Sequence, residues 1–347
     1  MVKVEKNPNY KRIATEEAFC PVEMLDLWKK VLASPDCDPG FNSLIGFYMS
    51  STAARPQHIM KCLTDLGEQR LAHMDESGID RQVIALTSPG VQVLDTDSAV
   101  SFVKVANDEL AEAVRNHPDR FTGMIAIAPQ NPAEAAKEIQ RGTELGLRGI
   151  IVNSHTHGEY LDDPKFYDIF AAAEANGQPL YLHPNTPPRD MIQPMLERGL
   201  DGAIFGFTVE TGMHALRLIT AGVFDKFPKL QVILGHLGET LIFQADRIDY
   251  MHQATVRSNR YESMKAIARK PSEYLRDNFV ITTSGFVEEK PIKYVHDFMG
   301  ADRIMYAMDY PYQHVNEQVI QLDNLNISDE DKVKFFQTNA ERVFGIE

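Results

Sequence analysis

The sequence predicts an α/β protein, a (β/α)8 barrel of the TIM type with a long insertion after the first strand and an extra C-terminal helix. Three observations lead there. Short β-branched runs alternate with longer amphipathic stretches, the rhythm of βα units around a parallel sheet. Eight such runs occur, at residues 12–15, 82–86, 123–128, 149–152, 179–182, 230–234, 279–282 and 304–307. The 347 residues exceed the roughly 250 typical of such a barrel, which leaves room for insertions. The rival, a doubly wound open sheet, would want a Gly-rich phosphate loop after the first strand, and Glu16-Glu17-Ala18-Phe19 stands there instead.

Taken in order, the first run leads into the stretch 35–51, rich in Pro, Gly and Ser and carrying Phe41, Leu44, Phe47 and Tyr48. It reads as a long insertion of the kind that builds part of a substrate pocket. Val103, Ala106, Leu110 and Ala113 recur at helical spacing before Pro118. Asn131-Pro132 supplies an N-cap followed by proline at the first helical position, and Gly146 can close that helix. A second irregular stretch covers 184–207, with Pro187-Pro188, Pro194 and Gly202. The last helix spans about 328–343, with Ser328 as its N-cap. There is no period of 20 to 50 residues and no linker that divides the chain, so 1–347 reads as a single domain.

Composition narrows the function. The chain has 35 basic and 49 acidic residues, net −14, without a basic face that would suit nucleic acid or a membrane surface. No apolar run is long enough to span a bilayer, and residues 1–11 lack the apolar core of a signal peptide. Cys20, Cys37 and Cys62 are odd in number and form no CxxC pair, which suits a reducing compartment. The expectation is cytoplasmic.

Polar residues just past the strand C-termini face the active site of such a barrel. Here the first strand leads to Glu16-Glu17, the fifth to His183-Pro184, the sixth to Gly235-His236-Leu237-Gly238-Glu239, and the eighth to Asp309-Tyr310-Pro311-Tyr312. Each alone has an ordinary explanation: a core histidine, a surface carboxylate, a helix cap. Together they make a set able to bind a divalent metal and move a proton. Mixed carboxylate and imidazole donors suit zinc, manganese or iron better than copper. Two carboxylates and a neutral imidazole would balance a 2+ ion, with Arg55 and Arg247 available to neutralise a substrate carboxylate. Which of Glu16 and Glu17 turns inward depends on strand register. His155 and His157 read as loop or rim residues, and the remaining histidines as structural.

These motifs, in this order, resemble the metal-dependent decarboxylase branch of the amidohydrolase superfamily from about Arg12 onward. The stretches 85–92, 202–214 (GAIFGFTVETGMH), 249–253 and 305–313 (MYAMDYPYQ) extend the resemblance toward one subgroup of it. The resemblance implies one divalent ion per chain, Mn2+ first with Zn2+ or Mg2+ as alternatives, held by Glu16, His183 and Asp309. It implies His236 beside the substrate with Glu239 orienting it, Asp309 as the proton donor, and Arg55, Arg247 and Tyr312 as substrate contacts. The wider superfamily often carries His-x-His after the first strand; Glu16 and Ala18 stand there in this chain. The expected reaction is non-oxidative decarboxylation of an ortho-hydroxy aromatic acid, 5-carboxyvanillate to vanillate and CO2, without an organic cofactor. A 2,3- or 2,6-dihydroxybenzoate substrate is the alternative, and lactone or amide hydrolysis the other reaction class. The resemblance also implies a homo-oligomer, dimer or tetramer, in which Arg247 could act across an interface.

Overall fold

Parallel pairing in chain order follows from βα connections too long for hairpins. In the computed structural model, which describes residues 2–346, nine strand segments form. They are β1 (Ile13–Phe19), β2 (Arg81–Leu86), β3 (Phe121–Gly123), β4 (Ile125–Ala126), β5 (Ile150–Asn153), β6 (Leu180–His183), β7 (Val232–Leu234), β8 (Phe279–Thr282) and β9 (Ile304–Met305). They pair in parallel in the orders β1-β2-β3 and β4 through β9. The run expected at 123–128 lies earlier and is broken at Met124, where pairing passes from one neighbour to the other. Met124 N donates to Ile84 O (2.8 Å) and Ile125 N to Gly149 O (2.8 Å). At the other seam Thr15 N donates to Tyr306 O (3.1 Å) and Ala18 N to Tyr310 O (2.7 Å). The ring of strands is thereby joined on both sides, in the (β/α)8 order.

The first strand runs further than the sequence suggested and takes in both Glu16 and Glu17, which were placed beyond its end. Their charge hid them from a reading based on apolar runs, but both are buried. The pairing of β1 with β2 slips between Ala14 and Glu17, where three steps on β1 match two on β2. Such a bulge re-aims side chains, and it sits beside the candidate site.

The stretch 35–51 is folded into short helical turns, Pro39–Phe41, Asn42–Gly46 and Phe47–Ser50, between the helices Val22–Leu32 and Ala54–Leu63. Asp38 starts them, its carboxylate accepting from Gly40 N (2.9 Å) and Phe41 N (3.0 Å). Phe41 packs edge-on to buried Trp28, and the Tyr48 ring lies 5.7 Å from that of Tyr312. Asn131 and Ser328 cap their helices as expected, accepting from Glu134 N and Asp331 N. The C-terminal helix turns through a π segment at Lys334–Thr338, which carries Phe335 and Phe336 onto Tyr306. No helix among the described residues is long and apolar enough to cross a membrane.

One histidine is built into this core without charge. His214, on the Gly206–Thr220 helix, is fully buried. Its Nε2 accepts from Leu161 N (3.0 Å), so Nδ1 carries the proton and donates to Ser154 Oγ (3.0 Å). Burial, followed by the nearby His155 and Arg217, lowers its pKa from 6.5 to about 3. Between those values the unfolded chain binds a proton that the folded chain refuses, so stability falls as pH drops from 6.5 toward 3. His214→Gln keeps one donor and one acceptor. Urea unfolding should show the parent losing about 2 kcal/mol more than this variant between pH 7.5 and pH 5. Parallel losses would show that His214 titrates normally.

Candidate active site

The bulge in β1 divides the two adjacent carboxylates between different tasks. Glu17 turns to the backbone, Oε1 accepting from Met308 N (3.0 Å) and Oε2 from Tyr310 N (3.1 Å). It pins β1 to the segment after β9, although burial pushes its pKa up to about 8 against those two donors. Glu16 faces the mouth of the barrel. Its Oε2 accepts from the Tyr181 hydroxyl and from Thr282 Oγ1 (3.2 Å). Its Oε1 is buried and without a hydrogen-bond partner among the described residues, 3.3 Å from His183 Nε2 and 3.7 Å from His236 Nε2. Gly235 permits this approach: a Cβ there would stand 2.8 Å from Glu16 Oε2. Burial alone would raise the Glu16 carboxyl, but His236, His183 and Tyr181 hold it down to about 2.

The other groups arrive from the strand ends. His183 closes β6, and its Nδ1 bonds Pro184 O (2.9 Å), which turns Nε2 toward Glu16. His236 follows β7, its Nδ1 donating to Glu239 Oε1 (2.8 Å). Burial disfavours charge on this ring, yet Glu239 and Glu16 raise its pKa to about 10, which makes it an imidazolium. Asp309 follows β9 and lines the same cavity as Glu16, His183, Tyr181 and Met124. Burial, then the charge of Glu16, holds its carboxyl well above the usual range. His236 (φ 50°) and Asp309 (φ 66°) both take left-handed backbone conformations, a strain that persists only where surrounding contacts fix it.

The substrate-contact candidates separate. Arg55 lies on the exposed start of its helix, with Nη2 donating to Tyr312 O (2.8 Å), and its charge reaches Asp309. The Tyr312 hydroxyl bonds Thr87 Oγ1 (2.7 Å). Arg247 stands exposed on the Ala245–Ser258 helix and makes no hydrogen bond or ion pair among the described residues. His155 is engaged by its own loop, Nε2 donating to Thr186 O and Nδ1 accepting from Gly158 N, and His157 Nε2 donates to Leu94 O. Tyr181 was missed by the sequence reading. Its signal was present, since Tyr181 and His183 are two apart on one strand and therefore share a face.

The donors suit a divalent cation. A buried carboxylate oxygen without a partner faces an imidazole nitrogen whose other nitrogen is already tied to a carbonyl, the usual arrangement for a metal-binding histidine. The half-buried Asp309 carboxyl lines the same cavity, and the charge of Glu16 disfavours its ionisation, a conflict that a bound cation would relieve. As the side chains stand, no three acidic, His or Cys groups among the described residues converge tightly enough to grip an ion. Glu16 and His183 are the pair already set.

Residues 64–346 match the family model described as Amidohydrolase. A crystal structure of 5-carboxyvanillate decarboxylase from Novosphingobium aromaticivorans, complexed with manganese and 4-hydroxy-3-methoxy-5-nitrobenzoic acid, is 51% identical. It covers 100% of this chain and 99% of its own, with a TM-score of 0.98. The 5-carboxyvanillate decarboxylase of Sphingomonas paucimobilis is 37% identical, covering 97% and 99%, with a TM-score of 0.92. The gamma-resorcylate decarboxylase of a Polaromonas species is 34% identical over 293 residues, 82% of this chain and 89% of that protein. Ligand set, strand order and these likenesses agree: the chain belongs to the amidohydrolase family.

Proposed function

We propose that this protein is a manganese-dependent carboxy-lyase that converts 5-carboxyvanillate to vanillate and CO2. The observation that carries the reading is the cavity where Glu16 and His183 already face each other and which Asp309 also lines. Full-length likeness at 51% identity to a manganese-bound 5-carboxyvanillate decarboxylase supports the substrate. Three free cysteines suit a reducing cytoplasm, and we take 1–347 as one barrel domain.

Glu16, His183 and Asp309 are the residues that would hold the ion, and what it supplies when bound is Lewis acidity and a template for the phenolate and carboxylate oxygens. The protein does the rest. His236, kept cationic by Glu239, attracts the anionic substrate and stabilises the charge on its carboxylate. Arg55 and Tyr312 line up at the rim to receive the remaining ring substituents. The demanding step is protonation of the ring carbon that bears the carboxylate, which suspends aromaticity and needs an acid within reach. Asp309, which lines that cavity, is the acid we assign, transiently protonated. Its proton goes to that carbon, the carbon–carbon bond breaks, CO2 departs, and the aromatic ring is restored. Arg247 faces solvent in a single copy, so we assign it to the pocket of a neighbouring copy in a homo-oligomer, where it would meet the second carboxylate.

Asp309→Asn keeps shape and loses the acid. Turnover should fall at least about a hundredfold, and activity within a few-fold of the parent would remove the role given to Asp309. Metal dependence is tested separately by chelating the protein, measuring its metal content, and reloading with Mn2+. Vanillate and CO2 in equal amounts, lost on chelation and restored by Mn2+, are expected. One ion per chain without turnover would leave the site standing and move the substrate to a dihydroxybenzoate; no bound metal would sink the ligand set and the function with it.

A further inference from the structure

The protein treats the two oxygens of Glu16 differently, and metal binding by itself accounts for only one of them. Oε1 is buried, has no hydrogen-bond partner among the described residues, and is open toward His183. Oε2 lies in a closed niche. The Tyr181 hydroxyl donates to it, and so does Thr282 Oγ1 at 3.2 Å. The two hydroxyls also touch each other at 3.0 Å. The third wall is the backbone of Gly235, where a Cβ would stand 2.8 Å from Oε2 and 3.3 Å from the tyrosine oxygen.

These walls are rigid. Tyr181 and Thr282 are fully buried, and both stand on paired strands rather than in loops. Tyr181 pairs with Ile151 on one side and Ile233 on the other, and Thr282 pairs with Met305. A hydroxyl carried on a strand is held in direction more tightly than one on a loop. Any buried carboxylate requires donors, yet here both hydroxyls are directed at one oxygen and neither at the other. The carboxylate is thus fixed in rotation, with one oxygen held back and one presented.

We propose that Tyr181 is a positioning residue for the metal: together with Thr282 it reserves Oε2, so that Glu16 offers the ion Oε1 alone. The consequence is selectivity between ions. A small divalent ion that also accepts an imidazole is served by one well-aimed carboxylate oxygen beside His183. Calcium collects about six to eight oxygens and often takes both of one carboxylate, so it is denied the second. The proposal rests on the reading of Glu16 and His183 as metal ligands, and it is independent of the substrate.

The test reads ion binding rather than turnover. The chelated full-length protein is titrated with Mn2+, free ion being measured from its electron paramagnetic resonance signal, and Ca2+ is then added to displace it. Tyr181→Phe keeps the ring and removes only the hydroxyl. Y181F should bind Mn2+ at least about tenfold more weakly than the parent, the range for losing a partner behind a ligand, while Ca2+ binding holds or tightens. Thr282→Val should move the Mn2+ to Ca2+ ratio in the same direction. Damage to the site of a merely structural kind would weaken both ions together, and an unchanged ratio in Y181F overturns the proposal. Should Y181F fail to fold by circular dichroism, the same ratio in Thr282→Val decides. A parent that binds no Mn2+ overturns the ligand set and this proposal together. A parent that binds Mn2+ and loses its preference in Y181F supports the proposal even where 5-carboxyvanillate is left untouched.

Discussion

The site is organised around the buried charge of Glu16. Among the described residues no arginine or lysine meets this carboxylate; two imidazoles, a tyrosine hydroxyl and a threonine hydroxyl do. A lone buried anion is costly unless it is paired and hydrogen-bonded. Much of the local architecture answers that requirement. The slip in β1 aims Glu16 inward while leaving Glu17 to clamp the chain after β9. Gly235 clears space for the carboxylate, and Tyr181 and Thr282 occupy one of its oxygens so that the other is left bare toward His183. An arginine would neutralise Glu16 permanently, whereas imidazoles and hydroxyls leave an oxygen able to meet a cation.

The closing seam of the ring depends on the same place. Ala18 N bonds Tyr310 O, and Glu17 bonds Met308 N and Tyr310 N, so Asp309 is held between two fixed residues. Arg70 adds to this clamp, its guanidinium donating to Ala18 O (2.7 Å) and lying 4.8 Å above the Tyr310 ring. The left-handed backbone at Asp309 is sustained by that framework. Fold stability and site geometry are therefore not separable at β1 and β9: the contacts that close the barrel also set where the acid stands.

Sequence carried the barrel and much of the candidate site for a physical reason. Apolar runs of parallel strands are buried on both faces and stand out, and their C-terminal ends are where chemistry is displayed. His183, His236 and Asp309 were legible because each follows such a run directly. Glu16 was legible only as one of a pair, since a one-residue bulge leaves no mark in the residue order. The break at Met124 was hidden for the same reason, being a matter of which neighbour each backbone amide meets. The stretch 35–51 has the composition of a loop, yet it folds into helical turns because Asp38 caps them and Phe41 finds Trp28. Tyr181 went unread because a tyrosine in a strand looks like core until its partners are known. Arg247 shows the opposite limit, since the described residues of one copy give it no hydrogen bond or ion pair.

Charge explains why the pocket is layered as it is. The protein is acidic overall, net −14, and an aromatic dicarboxylate approaches against that field. Attraction has to be local and graded. Arg55 stands at the exposed rim, His236 half-way in, and two carboxylates that call for a cation lie at the floor. His236 and Asp309 are half-buried and Glu16 is buried, so interactions around Glu16 work in a lower effective dielectric than those at the rim. The surrounding negative charge and the loss of water both push the Asp309 carboxyl toward its neutral form, and a cation there would pull it back. The burial that makes Glu16 costly is thus the same burial that keeps Asp309 an acid, and neither property could be weakened without the other.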